Sequence, residues 1–238
     1  MKRVAKAIRA QDWFVVAIEF VVVVLGIFVA LEVGAWNQER TDRHLERAYL
    51  LRLTAETRAN IEVMRQNERT FTDKVEFVLG LPEMQLESAI TADPQAFMAR
   101  LDDSSWVALP DLRSETFEEL RSSGRLALVR DAVLRSAIAT VLNDYRSARP
   151  VFERPIGDYR RMLFEALPGR CYRDYRVGTG VGVADVAAIA AAVERLRSDP
   201  RFEAAANAEV TYGSDMLFYV RLFRAQLEET LALLEAGL

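Results

Sequence analysis

The chain has 238 residues, 51% of them hydrophobic, and a formal net charge of −4 at pH 7, which suits one sizeable core and gives no basic footprint for nucleic acid. A single cysteine, Cys171, excludes an intramolecular disulfide and a multi-cysteine zinc site. All but Lys2, Arg3, Lys6 and Arg9 of the 31 basic residues, and all but Asp12, Glu19 and Glu32 of the 35 acidic ones, fall after residue 36, a balance of −5 for residues 37–238.

Residues 1–12 form a basic tail. Trp13 to Trp36 is apolar throughout except for Glu19 and Glu32. As a helix its 24 residues reach about 36 Å, enough to cross a hydrocarbon core of roughly 30 Å with some tilt. Trp13 and Trp36 stand where interfacial anchors belong. A cleaved signal peptide is the rival reading, with Val33-Gly34-Ala35 as the cleavage site. The length of the apolar run and the helix-forming residues after it speak for a retained anchor. Four basic residues precede the stretch, whereas Arg40, Arg43 and Arg47 after it are interleaved with Glu39, Asp42 and Glu46. The bias places the N-terminus inside, so in a bacterial inner membrane residues 1–12 are cytoplasmic and about 200 residues periplasmic.

Residues 37–79 contain neither Gly nor Pro and read as a stalk helix continuing from the span. Leu50, Leu53, Ile61, Met64, Phe71, Val75 and Val78 recur near a 3.5-residue period, with Thr57 and Glu68 filling two seam positions. Such a face packs either into its own domain or against a second copy as a parallel coiled coil.

Residues 80–238 read as a helical bundle packed with the stalk. Gly80-Leu81-Pro82 ends the stalk, and Asp93-Pro94 caps a short helix running to about Leu101. A loop with Trp106 and Pro110 follows. Thr116 and Glu119 have capping-box spacing, and Gly124 sits where a helix C-terminus favours a left-handed residue. Asp131 caps a helix whose inner face carries Leu134, Ala137, Ile138, Val141, Leu142 and Tyr145, its end bounded by Pro150 and Pro155. Another helix is expected from about Pro155 to Leu167. Residues 170–183, with Gly178, Gly180 and Gly182, read as a flexible connector. Their spacing is not the dinucleotide fingerprint, and no flanking strand is evident. Asp185 caps an Ala-rich helix to about Arg197, Asp199-Pro200 opens another, and a final amphipathic helix runs from around Tyr212 to Glu235. The fold class is therefore all-α.

Little in this sequence supports catalysis. His44, the one histidine, lies on a charged helix with no nucleophile pattern beside it, and no H-x-x-x-H or E-x-x-H spacing offers a metal site. Consecutive carboxylates such as Glu118-Glu119 and Glu228-Glu229 point about 100° apart and are poorly placed to share a substrate. Lysine is confined to Lys2, Lys6 and Lys74, which reads as genome composition. No enzyme activity, cofactor or metal is expected.

Glu19 is the exception among the charges. It lies about 9 Å inside Trp13, where a carboxylate facing lipid is costly unless paired. At 100° per residue it shares a face with Gly26 and Ala30, with Gly34 about 60° away, a series of small residues that lets another helix approach. This is the expected helix-docking face. The expected partners are the lipid bilayer and either a second copy of the chain or another membrane protein, and nucleic acid is not expected. The first function reading is a non-enzymatic interaction or scaffold protein. The second is an accessory subunit of a membrane transport or redox complex that uses Glu19.

Two stretches carry a resemblance. E-F-V-V-V-V-L-G-I-F-V-A-L-E-V-G-A-W-N-Q-E-R, from Glu19 to Arg40, and T-F-E-E-L-R-S-S-G-R-L-A-L-V, from Thr116 to Val129, continued by D-A-V-L-R-S-A-I, are similar to an uncharacterised family of bacterial single-span membrane proteins with a domain of unknown function. The D-P-R-F segment at 199–202 and the last helix also look similar. The resemblance implies N-terminal anchoring and a helical domain, and it carries over no catalytic residue.

Overall fold

The computed structural model describes residues 4–105, 110–153, 157–167 and 186–238. Among the described residues every regular element is helical and none is a strand, as the residue periodicity implies. The glycine-bearing stretch 170–183, Cys171, Asp185, Trp106 and the Pro155 helix start lie outside the described residues.

Helix α1 (Val4–Gly80) is unbroken for 77 residues, about 115 Å at the α-helical rise. A 3-10 turn at Leu81–Glu83, with Pro82 inside it, ends the run. The remaining helices are α2 (Leu86–Ala92), α3 (Pro94–Asp103), α4 (Glu115–Ser122), α5 (Ala132–Phe152), α6 (Asp158–Ala166), α7 (Val186–Arg197) and α8 (Phe202–Ala236). They pack against the half of α1 that follows Tyr49 and leave its first half bare.

The core is three buried clusters stacked along α1. Tyr49, Leu50 and Leu53 meet Phe117, Leu120, Leu134 and Leu234; Ile61, Met64 and Phe71 meet Val141, Phe152, Tyr212 and Phe223; Phe77, Val78 and Leu81 meet Phe97, Tyr159, Ile189 and Phe202. Each fully buried Leu or Phe contributes roughly 1.5–3 kcal/mol. The periodic face of α1 thus packs within its own chain. The polar seam positions are satisfied there too: Thr57 is buried, and Glu68 accepts from Arg221 and Arg224 of α8. Helix α8 runs antiparallel to α1, since Arg58 pairs with Glu235, Arg65 with Glu228 and Glu68 with Arg221.

Local signals succeed where the cap geometry is self-contained. Asp93 accepts from the Ala96 amide with Pro94 at the first position of α3, and Asp131 accepts from the amides of Val133 and Leu134. Gly124 has φ +70°, and the Arg125 amide donates back to Leu120 O, the Schellman pattern.

Tertiary contacts override other signals. The capping box at Thr116 does not form, because the N-cap of α4 is Ser114, two residues earlier. The Thr116 amide takes Glu56 as its acceptor, and Glu119 accepts from Tyr49 and Arg52 instead of reaching back. Helix α5 ends at Phe152, between Pro150 and Pro155, with Pro150 inside its last turn. Helix α2, a two-turn piece that the sequence reading did not identify, precedes the Asp93 cap. The two expected helices after Asp199 are a single 35-residue helix, α8, running through Gly213.

Candidate functional site

Because α1 is unbroken, the 100° step holds from Glu19 to Gly34, and Glu19, Gly26 and Ala30 keep a common face with Gly34 beside it. Nothing in the structure packs on that face. A Cβ added at Gly26 or Gly34 would meet no atom within 4 Å, and no buried cluster includes a residue before Tyr49. Glu19 and Ala30 are exposed. So are the large apolar side chains around the rest of the cylinder, Phe20 at 69%, Phe28 at 62% and Leu31 at 66%. Trp13 and Trp36 are 74% and 64% exposed, about 35 Å apart along the axis. By length and composition this helix can cross a membrane. Apolar surface of this extent on every side of a helix is far beyond what a water-exposed element carries.

A second constellation lies in the bundle, and the sequence reading passed over it. Lys74 of α1, its side chain 2% exposed, forms an ion pair with Glu209 of α8, 10% exposed. The ammonium also stands 5.4 Å from the centre of the Tyr212 ring. Burial pushes the Lys74 amine below its ordinary value, and the Glu209 carboxylate opposes that shift only in part. One turn on, the helices lie in close contact: a Cβ at Gly213 would sit 2.7 Å from Val75 Cγ2. A cavity of about 630 Å³ opens beside Glu209, bordered by Gly157, Tyr159, Arg160, Ala205 and Tyr212. The Tyr159 hydroxyl shares a hydrogen bond with Ser104 Oγ at 3.0 Å, and its burial pushes the phenol above its usual range.

The signal for Lys74 was present in the sequence. It lies three residues after Phe71 and four before Val78, on the apolar stripe, just as Glu209 lies three before Tyr212. An ammonium and a carboxylate at matched heights of two antiparallel helices pair across the α1–α8 contact and act as a fastener.

The carboxylates set aside as solvated faces diverge as expected. Glu118 pairs with Arg121 and Arg146, while Glu119 binds Tyr49 and Arg52. His44 is exposed. Among the described residues no three His, Cys, Asp or Glu side chains are grouped to hold a metal ion. No family model matches the chain, and neither a curated protein nor a solved structure gives a significant match.

Proposed function

We propose that this chain is a non-enzymatic, membrane-anchored helical interaction module. In this reading residues 13–36 cross a bacterial inner membrane with the N-terminus in the cytoplasm, and the helical domain stands in the periplasm. The carrying observation is the bare apolar cylinder of α1, continuous with the spine of a folded bundle and exposed over its whole circumference. The docking face of Glu19, Gly26, Ala30 and Gly34 takes a second helix, that of another copy or of a membrane-protein partner.

Crosslinking in membranes tests it. Gly26→Leu and Ala30→Leu weaken association, whereas Val24→Leu, about 160° around the helix from Gly26, leaves it intact. Equal behaviour of the three variants removes the docking face. Alkaline phosphatase fused after Leu238 is active, and an inactive fusion reverses the topology. Glu19 favours a second reading, an accessory subunit of a transport or redox complex. Glu19→Gln keeps a hydrogen-bonding amide without a titratable group, so docking survives it and proton handling does not.

A further inference from the structure

Cross-contacts give each element a height above Trp36. Helix α4 descends toward the apolar stretch: the Thr116 amide meets Glu56, and Glu119 meets Arg52 and Tyr49. Helix α5 climbs away, from Leu134 in the cluster around Leu50 to Phe152 in the cluster around Phe71. The turn between them, residues 123–131, is therefore the low point of the bundle. Its Arg130 amide donates to Glu46, about 15 Å along the axis from Trp36, and the Arg130 guanidinium reaches down to Glu39, about 4.5 Å from Trp36. The headgroup layer on one side of a bilayer is roughly 5–8 Å deep.

Charge is sorted along the same axis. At the low end, residues 37–47 and 123–135 carry six arginines, Arg40, Arg43, Arg47, Arg125, Arg130 and Arg135, against four carboxylates. At the far end, residues 76–103, 158–167 and 186–209 carry six arginines against twelve carboxylates. Arg40, Arg47 and Arg125 are exposed, and Glu39 is shared by Arg43 and Arg130. A rod with a basic foot and an acidic tip is oriented by an anionic surface, which attracts one end and repels the other.

We propose that the foot of the bundle, the α4–α5 turn with the arginines of α1 beside it, rests on the headgroups of anionic phospholipid and holds the domain upright. The proposal rests on the reading that residues 13–36 cross the membrane, and the test separates the two. The full chain, with Cys171→Ser, receives single cysteines for a fluorescent label at Val133 (foot), Leu79 (tip) or Leu25 (apolar stretch), all three exposed. It is reconstituted in vesicles of phosphatidylcholine with or without phosphatidylglycerol. Nitroxide on the lipid chains quenches the Leu25 label, and nitroxide on the headgroups quenches the Val133 label in the anionic vesicles only. That quenching is lost when salt rises from about 0.05 M to about 0.5 M, because screening shortens the reach of these charges. It is also lost with Arg40→Gln plus Arg125→Gln, with unchanged helix content and a Leu79 label unquenched throughout. A quenched Leu25 label with an unquenched Val133 label, or equal Val133 quenching in both lipids, overturns the proposal. An unquenched Leu25 label overturns the crossing itself, and the foot contact with it.

Discussion

Replacing Lys74 by Met strands a carboxylate between α1 and α8. Breaking a buried pair from one side costs about 3–5 kcal/mol. With both side chains nearly sealed from solvent, the loss falls in that range. In Glu209→Leu the Lys74 amine loses the carboxylate that opposes the effect of its burial and moves further below its ordinary value, so the deficit shrinks as pH rises toward 10. Lys74→Met combined with Glu209→Leu removes both charges and restores stability to the parent level or above. Thermal and urea unfolding of the full chain in detergent at pH 5.5, 7 and 8.5 measures this. The Lys74→Met shift at pH 7 is on the order of 8–15 °C for a domain of this size. A loss below about 0.5 kcal/mol at pH 7, or a double variant no better than the single ones, refutes the fastener argument.

Two further substitutions probe the backbone. Gly124→Val costs on the order of 1 kcal/mol or more because φ is +70° there, while Gly124→Asn costs less, both read from the melting temperature. Gly213→Leu destabilises by about 1–3 kcal/mol through its clash with Val75, and Val75→Ala recovers part of that loss in the double variant; additive effects would mean that the two residues do not meet.

What the sequence disclosed divides along physical lines. Helix type, the all-α class, the caps at Asp93, Asp131 and Gly124, and the angular set Glu19, Gly26, Ala30 all follow from the helical period and from groups within a few residues of one another. The tertiary choices were hidden. Glu119 looked like half of a capping box, yet Tyr49 and Arg52, far away in the chain, claim its oxygens. Gly213 gave no sign of its role in the sequence. In the fold it is the point where α8 can approach Val75, so packing holds a residue of poor helix propensity in mid-helix. Helix α2 escaped notice because seven residues with two buried apolar side chains are too few to show a period. Lys74 and Glu209 were passed over although each sits on its helix's apolar stripe. A charge on a stripe is legible as buried only once its counter-charge is known, and the two are 135 positions apart in sequence.

Continuity of α1 links the Glu19, Gly26 and Ala30 face to the bundle. Residues 37–48 contain no Gly or Pro, and Glu39–Arg43 and Gln38–Asp42 pairs lie along their exposed surface. Rotation about the axis is therefore carried through the junction. Counting 100° per residue, Tyr49, Leu50 and Leu53, where the bundle first grips α1, centre about 165° from the Glu19, Gly26 and Ala30 face. The bundle thus hangs from the back of the helix. Two copies joined through Gly26 and Ala30 keep their bundles on the outside and bring the front of each junction together. The front is Asn37, Thr41, His44 and Ala48, all exposed and, with His44 neutral, all uncharged, continuing the 26, 30 and 34 series in steps of three and four. If the partner is a second copy, Thr41→Cys in a Cys171→Ser chain forms an intermolecular disulfide readily under mild oxidation, whereas Arg43→Cys, about 160° from Thr41 on the same turn, does not. Gly26→Leu lowers the Thr41 yield without touching the junction. Equal yields at Thr41 and Arg43 would refute a parallel pair, and no disulfide at either position, with Gly26→Leu still disrupting association, would assign the docking face to a different membrane protein.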